Sequence, residues 1–192
     1  MMNADKFEKV TITNQEELRF WLLENYQHEE SVWLVTYKKN VPNKYVSREE
    51  VLDELLCFGW IDGVRKKLDE ERTMQLISPR RIQHWSRTYK ERAAQLIEQN
   101  RMHKRGFKSI SDSKEKGLWD FLEDVDNLVI PNDLETALKT KKDAFEFFVS
   151  INDSSKRFVL RWIKLSKTEK TRQNRILKIT TLSAKGEKLP GS

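Results

Sequence analysis

One cysteine, three histidines, four prolines and six glycines in 192 residues close off several kinds of protein before any motif is read. A lone thiol, Cys57, makes no internal disulfide and cannot build a cysteine-rich zinc site. His28, His84 and His103 have no metal-ligand spacing among themselves or with Cys57, so no metal is expected. No glycine loop able to cradle phosphate and no dinucleotide fingerprint is present, and no cofactor is expected either. No segment approaches the apolar length of a membrane span. Met1 to Val10 carries charges and lacks the apolar run of a secretory signal. These absences point to a cytoplasmic protein without a long flexible linker.

What is present is a folding composition, 38% hydrophobic and 10% aromatic, under a heavily charged surface at 34%. The length suits one core, or a domain of about 100–120 residues with a smaller companion. The net charge of +6 is unevenly spread. Residues 1–77 hold 11 basic and 15 acidic side chains, net −4, and residues 78–108 hold 9 and 2, net +7. Residues 109–153 hold 5 and 11, net −6, and residues 154–192 hold 11 and 2, net +9. The basic blocks either pair with the acidic segments, the favoured reading, or form a positive face for nucleic acid or another anion.

Periodicity predicts an α+β protein: a small antiparallel or mixed sheet with helices over 1–115, then a helical region over 116–192. Lys9–Thr13 reads as an edge strand, Ser31–Lys38 as a central strand, and Trp60–Leu68 with Arg72–Ile77 as a hairpin lacking a glycine turn. Asn14, Ser47 and Ser166 are read as N-caps, each with a glutamate three residues on, and Ser86 and Asp133 as further caps. Gly59 suits the left-handed residue that closes a helix. Residues 120–132 read as an irregular acidic connection. Ile97, Val149 and Phe158 are expected on inward helix faces.

The candidate chemistry lies between Cys57 and Ser86. There Trp60-Ile61-Asp62-Gly63 precedes the basic turn Ser78-Pro79-Arg80-Arg81, with Trp85 just beyond. Trp with Arg suits planar or anionic groups, so Lys38, Trp60, Asp62, Arg80, Arg81 and Trp85 are the expected ligand-binding set. Trp85, between His84 and Ser86, is expected to be partly exposed. Asp62 is expected to be partly desolvated beside Trp60, and it is the best candidate for a catalytic acid or base. Its bland alternative is a structural carboxylate accepting backbone N–H bonds. Further on, Arg157, Arg161 and Lys164 line one helix face, and Arg172 and Arg175 lie on the next. They are a candidate nucleic-acid surface, although the junction between the two helices reads as a hairpin rather than a DNA-binding turn.

These motifs, together with Tyr37-Lys38-Lys39, Asn100-Arg101-Met102, Trp162-Ile163 and Thr171-Arg172, resemble the YdeI/OmpD-associated, bacteriocin-protection family. The resemblance implies a bacterial protein whose relatives carry labels for envelope stress, bacteriocin tolerance or porin association. A non-enzymatic binding or stress-protection role with an anionic small molecule or protein partner is the favoured expectation. Nucleic-acid binding through segments 78–108 and 154–192 is one alternative. An enzyme acting through Asp62 and a pure protein-interaction module are the others.

Overall fold

The structure is a computed structural model and describes residues 6–192, so the start of the Met1–Val10 stretch lies outside the described residues. The chain forms two compact units, Met1–Asp120 and Phe121–Ser192.

In the first unit, β1 (Lys9–Thr11) pairs in parallel with β2 (Val32–Tyr37). Between them runs α1 (Gln15–Asn25), whose N-cap Asn14 accepts from the Glu17 backbone N–H. Glu17 completes the turn by accepting from the backbone of Thr13 rather than that of Asn14. Ser47 and Glu50 form the reciprocal capping box that opens α2 (Arg48–Cys57). Such a cap is worth about 1 kcal/mol. β3 (Trp60–Lys67) and β4 (Arg72–Pro79) form the hairpin, and the sheet order is β1-β2-β4-β3, with every pairing but the first antiparallel. The turn needs no glycine because the Asp69 carboxylate accepts from the N–H groups of Glu71 and Arg72 at 2.9 and 2.7 Å.

Helices cover one face of this sheet. Val32, Leu34, Trp60 and Ile77 meet Leu18 and Leu22 of α1 and Val51, Leu55 and Leu56 of α2. The same core takes Ala93 and Leu96 of α3 (Arg87–Glu98) and Ile110 of α4 (Lys104–Glu115). The opposite face buries a smaller cluster of Trp33, Val35 and Met74. Two glycines bring α4 onto the end of α2. Gly59 has φ +65°, and a Cβ on it would lie 2.9 Å from the Arg105 carbonyl oxygen. A Cβ on Gly106 would lie 2.3 Å from the Cys57 carbonyl oxygen, so no other residue fits without moving backbone.

The second unit is helical: α5 (Glu123–Asp126), α6 (Asn132–Lys139), α7 (Ala144–Ser150), α8 (Asp153–Lys164) and α9 (Glu169–Ser183). Its core gathers Leu134, Leu138, Phe148, Val159, Ile163, Ile176 and Ile179. Several local expectations are corrected. The acidic connection contains α5. The N-cap of α6 is Pro131, with Asp133 already inside the helix, and that of α9 is Thr168 rather than Ser166, since Thr168 accepts from the Thr171 N–H. Ser86 stands at the N-cap of α3 without a side-chain cap bond. Ile97, Val149 and Phe158 are exposed, each one step of helix rotation beyond the buried stripe.

Candidate functional site

The turn after β4 carries the basic motif. Arg80 donates its backbone N–H to the Gly59 carbonyl at 2.8 Å, which anchors the turn where α2 gives way to β3. Its guanidinium lies over the Trp85 ring, 3.9 Å from the centroid, and 5.8 Å from that of Tyr89. One Nη donates to the His84 carbonyl at 3.2 Å. The Nε is buried without a partner. No carboxylate forms an ion pair with Arg80 among the described residues. Burial therefore pushes its pKa down to about 10, only partly offset by Tyr89 and Asp62.

Arg80 lines a cleft of about 260 Å³ with Arg81, Arg105 and Lys108, and with the carboxylates of Glu29 and Asp112. Glu29 stands 3.7 Å from Arg105, and Asp112 is 2.9 Å from Lys108. An adjoining hollow of about 540 Å³ shares Glu29, Arg105 and Lys108 and adds Tyr26 and Lys104. Four cations against two carboxylates make this a positive concavity, with one cation poorly solvated. An anion there would meet a guanidinium already stripped of much of its water.

The remaining expected ligand residues fall elsewhere. Trp60 is fully buried, set edge-on to Trp21 with ring centroids 5.5 Å apart. Trp85 is only 1% exposed, against the expectation of partial exposure. Its indole N–H donates to Ser113 Oγ at 2.9 Å, and Arg80 and Trp119 approach its ring. Both indoles are walls of the core rather than open platforms. Lys38 donates to the carbonyls of Asp69 and Glu70 at the far end of the hairpin, a whole strand length from Arg80. Asp62 is exposed rather than desolvated. Its two oxygens accept from Tyr89 Oη at 2.8 Å and Gln75 Nε2 at 3.3 Å. Cys57 is buried, and burial with the nearby charge of Glu54 pushes its thiol up to about 11, so no thiolate forms near neutral pH.

Most of the C-terminal cations are occupied within their own unit. Arg172 makes a two-pronged bond to Asp133 at 2.6 and 2.9 Å. Lys164 pairs with Asp124, Arg175 donates to the Trp162 carbonyl, and Arg157 donates to the Asp126 carbonyl at 3.3 Å. Arg161 is engaged as well. The sequence reading missed Arg105 and Lys108 as partners of Arg81. The signal was their spacing of three on α4, which puts both on one helix face.

Residues 10–109, more than half of the chain and including this cleft almost entirely, match a domain of unknown function (DUF8412). The chain belongs to that family. Residues 127–186, within the helical unit, match the family described as Bacteriocin-protection, YdeI or OmpD-Associated, the family of the resemblance, with Trp162-Ile163 and Thr171-Arg172 the motifs that fall inside the match. The DUF8412 match therefore holds the Trp60–Gly63 and Ser78–Arg81 motifs, and the YdeI/OmpD-associated match holds the paired C-terminal cations. Neither a curated protein nor a solved structure matches the chain.

Proposed function

We propose that the DUF8412 unit is a non-enzymatic binding module whose cleft holds a small phosphate-bearing anion on Arg80, Arg81, Arg105 and Lys108. The observation that carries this reading is Arg80, a guanidinium deprived of water and of any carboxylate partner, lining a concavity with three further cations. Charged groups out of water are ordinarily paired, and a bound phosphate supplies the missing countercharge. The two hydrogen bonds on Asp62 favour a positioning role over proton transfer. The bacteriocin-protection description of the match at 127–186 supports a protective setting for such binding.

Calorimetric titration with inorganic phosphate, pyrophosphate and a single-stranded oligonucleotide, at two salt concentrations, tests it. Saturable binding of pyrophosphate that Arg80→Met with Arg81→Ala weakens at least tenfold supports the reading. Binding of the oligonucleotide alone, with affinity falling steeply as salt rises, would replace the small anion by nucleic acid. No binding of any probe would remove the cleft as an anion site.

A further inference from the structure

β3 does not run evenly against β4. Asp62 pairs with Ile77, but Arg65 pairs with Gln75, so three steps along β3 span two along β4. In a regular strand, residues three apart face opposite sides of a sheet. The bulge at Gly63 and Val64 resets the alternation and brings Asp62 and Arg65 onto one face. Gly63 permits it: a Cβ there would lie 3.0 Å from the Leu76 carbonyl oxygen.

That face is one wall of a pocket of about 230 Å³, lined also by Gln75 and Arg92 and by Arg48, Glu49, Val51 and Leu52 of α2. Arg92 is committed, to the Asp53 carboxylate at 2.5 Å and the Glu49 carbonyl at 2.9 Å. Arg65 is not: it donates to the neutral amide oxygen of Gln75 at 2.6 Å. The guanidinium of Arg48, exposed in the first turn of α2, has no hydrogen-bond or ion-pair partner among the described residues. Gln75 is 8% exposed and acts as a spacer, receiving Arg65 on its oxygen and giving its amide N–H to Asp62 at 3.3 Å. Tyr89 holds the other Asp62 oxygen. Two guanidiniums without a carboxylate ion pair thus share a small pocket with the oriented Asp62 carboxylate, the exposed Glu49 and an apolar flank.

We propose that this pocket binds a small amino-acid zwitterion, its carboxylate on Arg48 and Arg65 and its ammonium on Asp62. A planar carboxylate fits paired guanidiniums. The Asp62 charge opposes a dianion such as phosphate and favours a ligand carrying its own positive group. Val51 and Leu52 accommodate a short carbon skeleton. The site is separate from the Arg80 cleft and does not depend on the reading given for it.

Calorimetry at low salt with L-serine, propionate and inorganic phosphate decides the matter. L-serine should bind, and propionate and phosphate at least tenfold more weakly. Arg65→Gln and Arg48→Gln should each weaken L-serine about tenfold or more. Arg48, being exposed, keeps the test alive if the Arg65 variant does not fold. Asp62→Asn should abolish the preference for L-serine over propionate. The assignment is overturned if L-serine gives no binding, if phosphate binds as well, or if Asp62→Asn keeps the preference.

Discussion

The two units of this chain are both rich in arginine and lysine, yet they do not use them alike. In the helical unit the cations close onto local acceptors, with Arg172 on Asp133, Lys164 on Asp124, and Arg157 and Arg175 on backbone carbonyls. In the α+β unit one set is structural: Arg19 and Arg101 flank the buried carboxylate of Glu54 at 2.8 and 2.7 Å, with Gln15 also donating to it. A second set, Arg48, Arg65 and Arg80, stands at concave surfaces without carboxylate partners. The lesson is that a basic block in a sequence reports charge but not purpose. What sets the two kinds of cation apart is whether a countercharge lies beside them within the chain.

Glu54 offers the largest perturbation and marks the structural set. Glu54→Ala leaves two half-buried arginines facing an empty core edge. The loss should be about 2–3 kcal/mol, below the range for fully buried pairs because both arginines keep some contact with water. Urea unfolding followed by tryptophan fluorescence reads it, since Trp21, Trp33, Trp60, Trp85 and Trp119 all belong to this unit.

Acid should then separate the units. Burial, reinforced by Lys104 and Arg19, holds His103 below its ordinary 6.5. The folded state accepts that proton less readily than the unfolded chain. Its stability is therefore full above about pH 6.5 and declines as pH falls through the folded value. In the helical unit the Arg172 hydrogen bonds hold Asp133 below its ordinary 3.8. That contribution is present above pH 3.8 and lost only as pH falls beneath it. Hydrogen exchange read by mass spectrometry between pH 6 and 4 should show protection falling around α4 while α6 and α9 hold. Simultaneous loss in both would break the comparison.

A smaller effect is expected for Arg172→Met, about 1 kcal/mol, the value of a well-aligned surface pair. Arg157→Met should cost less still, because it removes a 3.3 Å bond to a carbonyl rather than an ion pair. Exchange rates within 127–186 would read both.

Much of the fold was legible because it rests on local chemistry. The caps Asn14 and Ser47, the left-handed Gly59 and the two apolar faces of β2 are each written in a few adjacent residues. The site was legible only in part, because it depends on how separate elements meet. Arg80 and Arg81 were evident as a motif, but not that Trp85 would be sealed beneath Arg80. Lys38 follows β2, the strand beside β4, at the end opposite Arg80, a matter of register that alternation alone does not convey. Arg65 was hidden by the bulge, since strict alternation assigns it to the face away from Asp62.

The central claim is that Arg80 is kept for a ligand and Arg172 for the fold. Paired measurements of unfolding free energy and pyrophosphate affinity for Arg80→Met and Arg172→Met test it most directly. The account expects Arg80→Met to change stability by less than about 1 kcal/mol, because an unpaired desolvated cation contributes little, while affinity falls at least tenfold. Arg172→Met should lower stability and leave affinity untouched. A large stability loss in Arg80→Met with affinity unchanged would contradict it and make Arg80 a structural residue.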